Sequence, residues 1–120
     1  MSKIEKFEDL ICWQKSRDLV KKIYNFTESD LLRKDFVLKD QFRRAGISIM
    51  LNIAEGFARR TNKDFSKFLF IAHGSAAEIQ SALYIAVDLN YITKDKFEEI
   101  YKDSEEVSKI ISGLIKKLKA

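Results

Sequence analysis

Apolar residues recur along this chain at spacings of three and four, the period of an α-helix with one buried face. From Leu10 the pattern passes through Trp13, Val20, Ile23 and Tyr24 and predicts a helix over about 10–26. Glu8 or Asp9 is placed to accept from the free amides at its start. The polar stretch 27–35 reads as a loop. A second helix is expected over about 36–60 and a third over about 63–90. Between them Thr61 and Asp64 have the spacing of a capping box, so the long apolar region is two helices joined by a tight reversal. A fourth helix over about 94–118 is opened by Thr93. Its apolar positions Phe97, Ile100, Val107, Ile111, Leu114 and Leu118 form a heptad seam with one polar member, Ser104.

Four helices with short connections predict an all-α fold, an antiparallel up-down-up-down four-helix bundle in one domain spanning 1–120. The first and last helices are two-faced. The middle two are unusually apolar, which points to burial beyond the monomer and hence to self-association. Composition agrees: there is no proline to interrupt a helix and only four glycines. A net charge of +4 permits nucleic acid or an acidic protein as partner and equally suits ordinary solubility. The single cysteine, Cys12, cannot form an internal disulfide and fits a reducing cytoplasm. The first residues lack the apolar core of a secretory signal. Apolar runs such as Phe68 to Ala72 are far short of the ~20 residues of a membrane span, so no membrane partner is expected.

The second helix carries a distinctive polar stripe. Gln41, Arg44, Ser48, Asn52, Glu55 and Arg59 fall within an arc of roughly 80° on an otherwise apolar helix. Such a stripe suits a packed seam in which each polar group finds a partner. If helices two and three run antiparallel about the reversal, Ser48 meets Ser75 and Arg44 meets Glu78, so an Arg44–Glu78 ion pair is expected. Asn52 then lies near Ile71, within reach of Gly74 and Ser75. The small residues Gly74, Ser75, Ala76 and Ala77 would permit close helix approach. The stripe either fixes helix register or lines a groove. Its mixed residue types, with no nucleophile–base set, favour register.

Catalytic and metal chemistry find little support. The only histidine, His73, has Phe70 three residues before it, so the Glu-x-x-His motif of di-iron bundles is missing. One cysteine and one histidine do not make a zinc site without carboxylates. Ser75 lies about 200° from His73 around the helix and cannot pair with it. Cys12, near a helix start, could be mildly acidified, but packing is the better account. The stretch from Gly56 to Lys63 is not a phosphate loop. The expectation is a non-enzymatic protein with no cofactor and no metal. Nucleic acid remains a candidate partner, because four of the six arginines fall in helix two and its end. Lys39, Arg43, Arg59, Arg60, Lys63 and Lys67 are the candidate contacts, with Arg59, Arg60 and Lys63 clustered at the reversal, where phosphates could be held without base reading.

The run Gln41-Phe42-Arg43-Arg44-Ala45-Gly46-Ile47-Ser48-Ile49-Met50-Leu51-Asn52-Ile53-Ala54-Glu55-Gly56 resembles the signature of the 23S rRNA intervening-sequence proteins. Phe7 to Leu10 with Trp13-Gln14-Lys15, and Phe68 to Ser75 with Glu78, resemble that family's first and third helices. The resemblance covers nearly the whole chain. It implies a left-handed four-helix bundle that assembles as a homo-oligomer, typically a pentamer, with no enzymatic activity. Some members are encoded inside insertions in large-subunit ribosomal RNA genes. The accessory variability determinants of diversity-generating retroelements are similar and work with a reverse transcriptase and RNA. The family often carries proline before helix two and at the place of Met50; both are missing here. The function expected is therefore a self-associating binding module for RNA or DNA. The alternative is a scaffold or accessory factor for a protein partner such as a reverse transcriptase.

Overall fold

The computed structural model describes residues 3–119. A 3-10 turn at Phe7–Asp9 precedes α1 (Ile11–Phe26), and a second at Leu32–Lys34 precedes α2 (Phe36–Ala58); α3 (Asn62–Asp88) and α4 (Lys94–Lys119) follow. Among the described residues there is no strand. Side chains fix most of the helix starts. Asp35 accepts from the Leu38 amide at the head of α2, Thr61 Oγ1 accepts from the Asp64 amide, and Thr93 Oγ1 accepts from the Lys96 amide. The expected cap of α1 by Glu8 or Asp9 does not form. Leu10 occupies the capping position with no side-chain bond, because those two residues are spent in the preceding 3-10 turn. There the Gln14 side chain donates to the Glu8 carbonyl instead.

Neighbouring helices meet in antiparallel order. Ser75 Oγ donates to Ser48 Oγ at 2.8 Å, and the rings of Phe57 and Phe65 lie edge to face at 5.8 Å nearer the reversal. Phe26 packs on Phe42 between α1 and α2, and Tyr84 packs on Phe97 between α3 and α4. Lys22 reaches Glu99 and Asp103 while Lys15 reaches Glu106, which closes α1 onto α4. Each helix thus touches two others around a core of Leu19, Ile23, Phe42, Ile49, Ile53, Leu69, Ile79, Leu83, Ile100 and Ile111, all essentially inaccessible to water. Removing a large core side chain such as Phe42 costs about 3–5 kcal/mol in sites of this kind.

Buried hydroxyls inside the bundle find acceptors both within a helix and across to the next. Ser16 Oγ donates to the Cys12 carbonyl at 2.6 Å, and Ser104 Oγ donates to the Ala76 carbonyl of the adjacent helix. Ser104, the polar member of the α4 seam, is therefore an α3–α4 tie. In the first helix the buried positions are Cys12, Ser16, Leu19, Ile23 and Phe26, whereas Tyr24 faces outward. The segment 27–35 is more than a polar loop. Leu32 is fully buried there, and Thr27, also buried, donates to the Ile23 carbonyl.

Close helix approach is set at Gly56, not at Gly74. A Cβ at Gly56 would lie 2.6 Å from the Cβ of Phe68 and 3.1 Å from the Phe65 ring, so only glycine lets α2 and α3 converge at the reversal. Gly74 is exposed, and a Cβ there would meet nothing within 4 Å.

Candidate nucleic-acid interface

The six basic residues singled out from the sequence do not form one surface. Lys39 and Arg43 lie in the first turns of α2, and Arg59 is about 30 Å further along the same helix at 1.5 Å per residue. The two groups occupy opposite ends of the bundle.

At the first end Lys39 and Arg43 are engaged by partners, while Arg33 and Lys34 of the preceding 3-10 turn are exposed and make no ion pair among the described residues. Arg43 Nε donates to Thr27 Oγ1 at 3.0 Å, its Nη2 donates to the Tyr24 carbonyl and to the Glu28 carboxylate, and its guanidinium stacks over the Tyr24 ring at 4.2 Å. Lys39 pairs with the same carboxylate at 3.4 Å. The Arg43 hydrogen bond, followed by that of Lys39, holds Glu28 below the usual carboxylate range. Nearby, the Tyr91 hydroxyl donates to Asp35, which raises the Tyr91 pKa. Lys22 bridges Glu99 and Asp103, and its pKa is raised chiefly by its bond to Asp103. Lys39 and Arg43 therefore bind the α1–α2 corner together.

The opposite end differs. Arg59 pairs only with Glu55, one turn back on the same exposed face, and lies over the Phe68 ring at 5.0 Å. Arg60, Lys63 and Lys67 are exposed and make no ion pair among the described residues. Arg60 also has a left-handed backbone, with φ of 69°. It stands where the last turn of α2 closes: the Arg60 amide donates to the Phe57 carbonyl. This is the position where glycine is preferred, because a Cβ there costs about 1 kcal/mol.

The fold adds a second basic group that sequence reasoning assigned only to a helix terminus. Antiparallel order brings the C-terminal turn of α4 to this same end. Lys119 Nζ lies 5.3 Å from the centre of the Phe70 ring on α3, and Lys117 lines a groove with Leu10, Ile11 and Cys12 of the N-terminal region. Lys116, Lys117 and Lys119 thus join Arg59, Arg60, Lys63 and Lys67, with Glu55 and Asp64 as the nearby carboxylates of the helices. On the α1 side the N-terminal residues contribute both signs: Lys3 and Lys6 beside Glu5, Glu8 and Asp9. The signal that could have found these lysines was bundle topology, because an even number of alternating helices returns the last C-terminus to the α2–α3 reversal.

The polar seam is shorter than its sequence stripe. Ser48 and Asn52 are half-buried, and Asn52 Nδ2 donates to the Ser48 carbonyl and hydroxyl. With Ser75 this makes a three-residue knot between α2 and α3. Gln41, Arg44 and Glu55 are exposed. The expected Arg44–Glu78 pair does not form: Arg44 Nε donates to Asp40 one turn away at 2.6 Å, and Glu78 has no ion-pair partner among the described residues. Arg44 is 75% exposed, and a local pairing orders fewer torsions than a reach across the helix interface.

Groups with other chemistry are quiet. Cys12 is buried and its thiol is pushed up to about 11 by that burial, so it stays protonated and unreactive at neutral pH. Among the described residues no three His, Cys, Asp or Glu side chains converge in a way that could hold a metal ion, and no helix is long and apolar enough to cross a membrane.

None of the curated proteins matches the chain. Among solved structures, a protein of unknown function of the S23 ribosomal protein family from Bacteroides thetaiotaomicron is similar, with a TM-score of 0.81 at 32% identity; the match covers 88% of this chain and 99% of that one. The model of the 23S rRNA-intervening sequence proteins matches residues 8–113. With its helices in place and nearly all its length matched, the chain belongs to the 23S rRNA-intervening sequence protein family.

Proposed function

We propose that this protein is a non-catalytic, self-associating helical bundle that binds nucleic acid through the end formed by the α2–α3 reversal and the α4 C-terminus. The observation that carries this reading is Arg60. A long cation stands at a helix terminus where glycine would be more stable; it is exposed and, like Lys63 and Lys67 beside it, makes no ion pair among the described residues. Backbone strain kept in such a place points to use of the side chain. Nothing at this end is built to read base edges, so the contacts are to phosphate. Fluorescence anisotropy with a labelled short RNA or DNA at rising KCl tests this. Phosphate contact predicts a steep fall in affinity, with a log–log slope of about −0.7 to −0.9 per phosphate neutralised. Replacing Arg60 and Lys63 with alanine should lower that slope by about 2. No binding at low salt, or a flat salt response, overturns the reading.

Self-association has its own support. Leu51, Ile71, Val37, Ile85 and Leu89 are each at least half exposed on the α2–α3 face, and antiparallel pairing sets the first two beside each other and the last three near the far end. Apolar area of this kind marks a protein interface. A second copy of the chain covers it in this proposal, in a ring that the family resemblance puts at five copies. The rival occupant is another protein, such as a reverse transcriptase. Light scattering after size exclusion separates the two: a multiple of the 14.0 kDa chain supports the ring, and a monomer points to another partner.

A further inference from the structure

The cations at the reversal end are interleaved with aromatic rings. On α3, Lys63, Lys67, Phe70 and Gly74 follow one another at intervals of three and four and share an exposed face. Phe70 is 53% exposed. It stands one turn beyond Lys67, with Lys119 of α4 over its ring at 5.3 Å. Phe68, half-buried on the neighbouring strip of the helix, carries the Arg59 guanidinium at 5.0 Å. A single exposed phenylalanine is ordinary on a protein surface. Phe70 is set apart because it is bracketed by Lys67 and Lys119, which make no ion pair among the described residues, and lies toward α4, away from the Leu51–Ile71 side of the helix.

We infer that this end takes a single-stranded polynucleotide, with Phe70 as the platform for one base and with Lys63, Lys67, Lys116 and Lys119 on the adjoining phosphates. The inference rests on the nucleic-acid reading above and narrows it. Base–aromatic stacking requires an unpaired base, because in a duplex both faces of each base are already covered. A base over Phe70 displaces the Lys119 ammonium onto the next phosphate, so the cation keeps a counter-charge while the ring loses water contact. The opposite end supplies an internal contrast. Phe36 is 75% exposed with Lys39 at 5.9 Å, and that lysine shares the Glu28 carboxylate with Arg43, whereas Lys119 over Phe70 makes no ion pair among the described residues.

The test uses the full chain and fluorescein-labelled probes of about 12 nucleotides, a length within the usual range for such surfaces. The probes are an unstructured single-stranded RNA, the same sequence as single-stranded DNA, and the blunt DNA duplex. Binding is read by anisotropy at fixed low salt. The expected result is that at least one single strand binds about tenfold tighter than the duplex. Phe70→Ala removes that preference and leaves duplex binding unchanged, Phe70→Tyr retains it, and Phe36→Ala has no effect. The RNA and DNA arms show which sugar is taken. Equal binding of strand and duplex, or a preference that survives Phe70→Ala, overturns the single-strand inference while leaving phosphate binding in place. Failure of all three probes to bind overturns both readings. Circular dichroism of each variant confirms the fold, and Phe70 lies outside the buried core, so its loss does not threaten the bundle.

Discussion

The two ends of this bundle are made from the same residue types and are wired differently. At the α1–α2 corner, Arg43 has four partners on three residues and shares Glu28 with Lys39, so the charge of these two side chains is structural, although Arg33 and Lys34 beside them are exposed and make no ion pair among the described residues. At the reversal, Arg60, Lys63 and Lys67 have no carboxylate partner among the described residues, and Arg59 has only a local exposed one. An exposed pair of that kind contributes at most about 1 kcal/mol and often nothing. The difference teaches that a basic residue count says little about binding until partners are assigned. Of the seven basic residues between positions 39 and 67, Lys39 and Arg43 form the clamp, Arg44 pairs locally with Asp40, and the other four lie at the reversal.

The sharpest way to break the contrast is at the glycine that lets the reversal form. Gly56→Ala should destabilise the protein by about 1–3 kcal/mol, because the new Cβ meets Phe68 and Phe65. Gly74→Ala, in open solvent, should instead stabilise it by about 0.5–1 kcal/mol through helix propensity. Chemical denaturation midpoints check both, and equal effects would refute the packing argument. Next in size is Arg43→Ala. Loss of its bonds to Thr27 and the Tyr24 carbonyl should cost about 1–2 kcal/mol, with little change in nucleic-acid affinity. Arg59→Ala should do the reverse, with near-neutral stability and weaker binding. Arg60→Gly sharpens the comparison furthest, since it should raise stability by about 1 kcal/mol while lowering affinity. A variant that is both more stable and equally good at binding would remove the functional account of the strained arginine.

The smallest effect is a pH dependence confined to the clamped end. Glu28 has a folded pKa below its ordinary 4.5, so its contribution is complete above the ordinary value and disappears as pH falls through the lowered one. Near-ultraviolet or NMR signals of Tyr24 should shift in that acid window, and Arg43→Ala should abolish the shift. Signals from Phe70 and its neighbours, at the opposite end from Glu28, should not follow the same titration.

The helices were legible because their information is periodic. The α4 seam of Ile100, Ser104, Val107 and Ile111 is buried as its spacing requires, and Thr61 and Thr93 cap where their positions suggest. The Ser48–Ser75 contact was also legible, because two helices around a short reversal have only one register. Long charged side chains were not. Arg44 had a near partner in Asp40 and a distant one in Glu78, and the nearer orders less chain. Arg43 finds Thr27 sixteen residues away across a corner whose shape no local pattern specifies. The free surface was half legible: its reversal part lies in one stretch of sequence, whereas Lys116 and Lys119 arrive from the far end of the chain.

The molecule extends 46 Å along its longest axis, and Arg60, Lys63 and Lys67, which make no ion pair among the described residues, stand at one extremity. Screening in physiological salt takes hold over about 8 Å, so a polyanion at that extremity does not feel the other. The overall charge of +4 then has little bearing on the encounter. On the nucleic-acid reading proposed above, productive approach is end-on, and the rate of association should fall with ionic strength more steeply than so small a net charge would suggest.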